Sequence, residues 1–253
     1  MGRVLIEAAL AQPDATITAA LDRSDSDTAG RDCAEFLGRS TGVVVVADLS
    51  SVGDADVLID FTRPQATLAH LKACAAAGVN MVIGTTGFDE AGKRAIAEAA
   101  KKIAIVFAPN MGVGVNVVLK LLDQAARILN ADYDVEIIEM HHKHKVDAPS
   151  GTALKMGEVI AEARGEKLEN VAVYARVGEV GERKEGAIGF ASLRGGDVIG
   201  DHTALFAGIG ERIEITHKAS SRMPYALGSM RAARFLVGRR TGLYDMFDVL
   251  GIK

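Results

Sequence analysis

Residues 57–88 read VLIDFTRPQATLAHLKACAAAGVNMVIGTTGF, and the order of patterns inside this stretch sets the fold. Val57-Leu58-Ile59 is apolar at consecutive positions, as a strand must be when helices cover both of its faces. Ala66–Ala77 then reads as a helix, and Val79–Ile83 is a second apolar strand. Strand, helix, strand is the repeating unit of an α/β sheet. Upstream, Thr16–Leu21 and Val43–Ala47 read as further strands; downstream, Asp89–Lys102 reads as a helix and Ile103–Phe107 as a strand. The expected fold class is α/β, a Rossmann-like, doubly wound parallel sheet.

The rhythm changes after about residue 112. A long helix, Val115–Asn130, leads to a strand at Tyr133–Glu139 and a helix at Thr152–Ala163. Beyond it lie four strand-like stretches: Val171–Arg176, Ala187–Leu193, Val198–Ala207 and Arg212–His217. The last two flank Gly208-Ile209-Gly210, which predicts an antiparallel pair, and strands without helices between them imply a second, α+β domain with an open mixed or antiparallel sheet. Tyr225–Val237 is helical again, and the tail Gly242–Ile252 is expected to pack back on the first domain. The expected division is therefore 1–112 with 223–253, and 113–222.

A chain of 253 residues has room for this, about 1.7 domains at about 150 residues each. Hydrophobic residues at 49% and charged residues at 25% exclude disorder, collagen-like repeats and a coiled coil. Composition argues against nucleic acid as a partner, since aromatics are 5%, Trp is absent and the net charge is -4. Cys33 and Cys74 form no CxxC pair, so neither a disulfide framework nor a zinc site is expected and a reducing cytoplasm is the expected compartment. No membrane span is expected either, because the longest uncharged run, Ile103–Leu119, is broken by Pro109, Asn110, Gly112 and Gly114.

The front of the chain matches part of a dinucleotide-binding unit. Such a unit runs from a strand through a glycine-rich turn to a helix whose N-terminus faces the pyrophosphate, with an acid about 20 residues on that bonds the adenine ribose. The helical stretch Arg3–Ala11, the turn Gln12-Pro13-Asp14 and the strand ending at Asp22 match the portion of the unit beyond its glycine-rich turn; Met1-Gly2 stands where that turn would end. Asp22 suits the ribose and Arg23 a 2′-phosphate, although an Asp-Arg surface pair would look the same. Gly84-Thr85-Thr86-Gly87 comes directly after an apolar strand, where parallel sheets meet ligands, but an ordinary βα loop fits it equally. Gly112-Val113-Gly114 lacks the third glycine of the fingerprint, with Val117 in its place, and reads as the entry to the interdomain helix.

The chemistry concentrates in residues 136–153, EIIEMHHKHKVDAPSGTA. Three histidines and two lysines fall within residues 141–145, yet Lys143 and Lys145 would repel a cation and no cysteine or carboxylate sits at ligand spacing, so no metal is expected. Pro149-Ser150-Gly151-Thr152 opens a helix, with a hydroxyl to cap it and a glycine to admit a ligand to the backbone amides. A helix N-terminus beside His141, His142, Lys143 and Lys145 suits a substrate with carboxylates. On one continuous strand His141 and Lys145 would be about 13 Å apart, so the chain must turn between them or they must flank a ligand. Either can donate a proton in a reduction.

This segment resembles the signature of the 4-hydroxy-tetrahydrodipicolinate (dihydrodipicolinate) reductases of the lysine pathway, through Glu136, Glu139, His141, Lys145, Asp147 and Pro149–Ala153. Ile59–Pro64, Val82–Phe88, Val113–Asn116, Gly210-Glu211-Arg212 and His217–Arg222 also look like that family, so the resemblance covers nearly the whole chain. It implies a nucleotide-binding domain joined by two hinges to a substrate and tetramerisation domain, hence a homotetramer. It implies His141 as the catalytic histidine, Lys145 as the proton donor, and His142, Ser150, Gly151 and Thr152 on the carboxylates of a small dicarboxylate substrate. Met1, Asp22, Arg23, Gly84, Thr85, Thr86, Ala108, Pro109, Asn110 and Met111 would hold NADPH or NADH, Asp22 favouring NADH and Arg23 NADPH. The implied reaction is NAD(P)H-dependent reduction of 4-hydroxy-tetrahydrodipicolinate to tetrahydrodipicolinate with loss of water. The family carries a strand and a Gly-x-Gly-Gly-Arg loop ahead of the position of Met1, and the expectation is a late-start or truncated product. A catalytically silent dicarboxylate-binding protein of the same fold is the alternative.

Overall fold

The computed structural model describes residues 1–252. The chain forms two compact units, one built from residues 1–113 together with the segment from Arg222 onward, the other from Gly114–Ser221.

In the first unit, α1 (Gly2–Leu10) stops just before Gln12-Pro13, since proline cannot continue a helix. β1 (Ala20–Leu21) and β2 (Val45–Val46) pair in parallel. β3 (Val57–Asp60), β4 (Asn80–Ile83) and β5 (Ala104–Phe107) form a parallel sheet, separated by α2 (Pro64–Ala77) and α3 (Glu90–Ala99). Pro64 starts α2 with its fixed φ, and Gly78 ends it at φ 74, a left-handed conformation that costs glycine little. Asp89 caps α3 by accepting from the Gly92 amide at 2.7 Å. The sheet shows why its strands are apolar at consecutive positions. Met81, Ile83 and Ile105 bury one face against Leu71, Cys74 and Ile96 of α2 and α3. Val82, Ala104 and Val106 bury the other face against Ala232, Leu236, Met246 and Val249. Each large apolar side chain so buried contributes about 1.5–3 kcal/mol.

The second face is closed by the returning segment: α7 (Met223–Leu236), β11 (Gly242–Tyr244), which adds parallel to β5, and α8 (Met246–Leu250). The tail thus packs back on this unit. The strands expected at Thr16–Leu21 and Val43–Ala47 shrink to two residues each, because β1 and β2 find ladder partners only in each other among the described residues. A cavity of about 1050 Å³ runs between β1 and the edge strand β3, lined by Met1–Leu5, Leu21, Asp22, Val57–Asp60, His70 and Arg222 among others.

The second unit begins in α4 (Val113–Leu129). β6 (Asp134–His141) is the central strand of a five-stranded mixed sheet. β9 (Gly200–Ala207) pairs antiparallel with both β6 and β10 (Arg212–Ala219), while β8 (Ile188–Arg194) runs parallel to β6 and β7 (Ala172–Val173) parallel to β8. The strand order is β10-β9-β6-β8-β7. The expected antiparallel pair is therefore β9 with β10, and of the strand expected over Val171–Arg176 only β7 forms: Val171 closes the short helix α6 (Leu168–Val171), and the pairing with β8 stops at Val173. α5 (Gly151–Ala163) covers one face of the sheet, where Ile137, Ile160, Ile188 and Phe206 are buried.

Candidate active site

Along β6 the side chains alternate, burying Val135, Ile137 and Glu139 on the face that α5 covers. Glu139 is thus a carboxylate at a core position, 1% exposed, and a charge there survives only with partners. Arg194 supplies a fork, Nη1 donating to Oε2 at 2.9 Å and Nη2 to Oε1 at 2.8 Å. The Ser150 amide donates to Oε1 at 3.2 Å, and His141 Nδ1 lies 2.6 Å from Oε2. Burial alone would raise the Glu139 pKa, but the hydrogen bonds from Arg194, Ser192 and His141 outweigh it and hold the carboxyl at about 2. An ionised carboxylate only accepts, so His141 donates from Nδ1 and keeps Nε2 as its other face. Gly200 leaves room for that ring: a Cβ there would stand 3.0 Å from His141 Nε2.

β6 ends at His141 and the chain turns, the Lys145 amide donating to the His142 carbonyl at 3.1 Å. Of the two arrangements the sequence allows, the structure has the turn. Lys145 Nζ rests on the Asp147 carboxylate at 2.7 and 2.8 Å. Arg194 Nη2 also donates to the Asp147 carbonyl, at 2.8 Å. Ser150 is the N-cap of α5, its Oγ accepting from the Ala153 amide at 3.2 Å, and Pro149 lies just before it. Gly151 faces open space, with nothing within 4 Å of an added Cβ. His142, Lys143, His144, Gly196 and Asp197 line a surface cavity of about 570 Å³, and His142 Nδ1 is buried without a hydrogen-bond partner among the described residues.

Two site residues escape sequence reasoning. His202 on β9 is buried, shares a hydrogen bond with Ser150 Oγ at 2.8 Å and meets the His141 ring edge-on at 5.0 Å between centroids. Burial, aided by its electrostatic interaction with His141, pushes its pKa down to about 4. Arg194 sits one residue past the strand expected to end at Leu193. A legible signal existed for it, since an acid at an inward strand position demands a cation.

In the first unit, Asp22 directly follows β1. Its Oδ1 accepts from the Arg23 amide at 2.8 Å and its Oδ2 from the hydroxyls of Ser26 and Thr28 at 2.7 and 3.0 Å. Burial works against the charge, but these bonds bring the pKa below the usual carboxylate value. Arg23 is 79% exposed, 3.6 Å from Asp25. Gly84 is a glycine because of Phe61, whose ring would stand 2.4 Å from a Cβ. Thr85 turns inward: its hydroxyl donates to Asp60 Oδ1 at 3.1 Å and accepts from the Thr62 amide at 2.9 Å. Only its backbone is left for a ligand, whereas Thr86 is exposed. Ala108 and Met111 are likewise buried, Met111 in the core, while Pro109 is exposed and Asn110 Oδ1 accepts from the Gly112 amide at 2.8 Å. Met1 stands at the N-cap position of α1 without a side-chain capping bond and packs against the cluster of Ala8, Ala226 and Met230. Among the described residues no group of three His, Cys, Asp or Glu side chains is arranged to hold a metal, and no helix is long and apolar enough to cross a membrane.

Residues 1–111 match the family described as dihydrodipicolinate reductase, N-terminus, and residues 114–250 the one described as dihydrodipicolinate reductase, C-terminus. A 4-hydroxy-tetrahydrodipicolinate reductase of Herminiimonas arsenicoxydans is 62% identical over 100% of this chain and 95% of its own length. One from Chromobacterium violaceum is also 62% identical, with the same coverage. Among solved structures, dipicolinate-bound dihydrodipicolinate reductase from Paenisporosarcina sp. TG-14 superposes with a TM-score of 0.75 at 27% identity, over 98% of this chain and 94% of that one. A putative myo-inositol dehydrogenase from Sinorhizobium meliloti 1021, 11% identical with a TM-score of 0.59 over 99% of this chain and 90% of that one, shares the fold alone.

Sheet, relatives and solved structure together define the class, an NAD(P)H-dependent oxidoreductase with a Rossmann-like domain and a mixed-sheet domain. With the two family matches spanning nearly the whole chain and relatives 62% identical along all of it, the chain belongs to the dihydrodipicolinate reductase family.

Proposed function

We propose that this chain reduces 4-hydroxy-tetrahydrodipicolinate to tetrahydrodipicolinate with NAD(P)H and loss of water, a step of lysine and diaminopimelate biosynthesis. The observation that carries this reading is the run from Glu139 to Ser150, in which a carboxylate-fixed His141, a turned-back Lys145 and a capped helix start are gathered within a dozen residues.

The N-terminus of α1 and Asp22 suit the cofactor: a helix start favours the pyrophosphate, and the bonds of Asp22 leave lone pairs for a ribose hydroxyl. Exposed Arg23 suits a 2′-phosphate, so both NADH and NADPH are accepted. Gly84, Thr85 and Thr86 and Ala108–Met111 offer backbone to the nicotinamide half. Bound NAD(P)H supplies the hydride. Water leaves the substrate ring, hydride adds at one ring carbon and a proton at its neighbour. Lys145 donates that proton, leaving Asp147 to do so. His141 presents Nε2 to the reacting end, and His142 with the first-turn amides of α5, at Gly151 and Thr152, receives the substrate carboxylates at the positive end of the helix.

The compartment is the cytoplasm, and the assembly is a homotetramer formed on the sheet of the second unit. On the face of this sheet that α5 leaves bare, Ile138 stands beside Ala191 and Met140 beside Leu193, with Ile138 39% and Leu193 45% exposed.

The test is the loss of reduced-nicotinamide absorbance when substrate is added to the full chain with NADPH or NADH. Oxidation of the cofactor is expected. Lys145→Ala should lower kcat by roughly 100-fold or more, while Thr152→Ala should mainly raise KM for the substrate. No oxidation of either cofactor by the wild-type chain would refute the reading.

A further inference from the structure

We propose that Arg194 is a positioning residue for this reaction, tying the histidine arm of the site to its lysine arm. The proposal rests on the assignment of His141 and Lys145 above. Arg194 stands in register with His141 on the neighbouring parallel strand. Besides a bond from Nη1 to the Leu193 carbonyl at 2.6 Å on its own strand, its guanidinium makes two kinds of bond across the site. The fork to Glu139, at 2.9 and 2.8 Å, fixes the anion that receives His141 Nδ1 at 2.6 Å. The third bond, to the Asp147 carbonyl at 2.8 Å, fixes the backbone of the residue whose carboxylate holds Lys145 Nζ.

The chemistry of each link is specific. Glu139 is ionised and accepts only, so as long as it is held in place His141 Nδ1 must carry a hydrogen toward it, and whenever the ring holds a single hydrogen Nε2 is bare. Without Arg194 the carboxylate keeps the Ser150 amide, Ser192 and His141 but loses the only arginine or lysine bonded to it among the described residues, in a site where burial opposes its charge. The loop from Val146 to Pro149 loses its bond to Arg194 at the same stroke. A lysine cannot replace the fork, because one ammonium is a point charge and the three acceptors lie in the fan of a planar group. Arg194 touches neither ring carbon nor cofactor in this scheme; it acts through Glu139 and Asp147.

The experiment uses the full chain with Arg194→Gln, Arg194→Lys and Arg194→Ala. Each variant is expected to lose kcat by roughly 10–100-fold, as displaced catalytic groups do, with NADPH affinity unchanged because Arg194 lies in the other unit from Asp22 and Arg23. Added guanidinium should restore part of the kcat of Arg194→Ala. The ¹⁵N shifts of the His141 ring should move from a single Nδ1–H tautomer to a mixture in Arg194→Gln. Full kcat in Arg194→Lys would overturn the proposal, as would a fixed Nδ1–H tautomer in Arg194→Gln accompanied only by a lower Tm. The ring shifts are read without substrate. They therefore decide the role of Arg194 even if the wild-type chain fails to oxidise NADPH, an outcome that would sink the assigned reaction alone.

Discussion

His202 couples the site to acid. Its pKa of about 4 in the fold lies below the 6.5 of a free histidine, so between these values the unfolded chain binds the extra proton and the folded chain does not. Stability is therefore full above pH 6.5 and falls as pH drops toward 4, by about 3 kcal/mol over the window. Glu139, held at about 2 against an ordinary 4.5, adds a further loss between those values, of the same sign. Urea midpoints measured from pH 7 to 4 should fall for the wild-type chain and fall less steeply for His202→Gln; equal slopes would contradict this account. His141, Lys145 and Ser150 were legible because one contiguous segment holds them. His202 was not, because it enters through cross-strand pairing, facing Glu139 from β9; for Arg194, which faces His141 from β8, the inward acid called for a cation but did not say which. Pairing between residues so far apart in the chain leaves no local pattern that names the partner.

At the scale of elements, α7 lies against the loop after β5 at a point where no side chain fits. A Cβ on Gly228 would stand 1.8 Å from the Met111 carbonyl oxygen, a backbone atom that cannot swing aside. Gly228→Ala should cost at least the about 1–3 kcal/mol of an overpacked core and lower Tm, whereas Gly151→Ala, facing open space, should not. Thermal unfolding of the two variants side by side checks this. The strands with two buried faces, β3 to β5, were legible in their composition, since Met81 and Val82 serve opposite layers and both must be apolar. β1 and β2 were overextended by the same logic. An apolar, β-branched run favours a strand, but the ladder ends where the partner ends, and Thr16–Ala19 has none among the described residues.

For the whole molecule, the order of the chain matters as much as its contacts. The first unit is split: residues 1–113 make its strands β1 to β5, yet α7, β11 and α8, which bury Val82, Val106 and Met111, arrive after the second unit has been passed through. On the ribosome this imposes a schedule. The inserted unit emerges complete and can fold at once, while the earlier-made unit must wait, one face of its sheet bare, until roughly the last thirty residues leave the exit tunnel. A nascent chain stalled at its last residue, with roughly the last thirty residues still in the exit tunnel, should accordingly resist protease across residues 114–221 while residues 1–113 remain susceptible, and release of the finished chain should protect both. Early protection of residues 1–113 would show that the returning helices are dispensable. If they are not, the piece made first is the piece finished last, and its unfinished layer is what chaperones would meet.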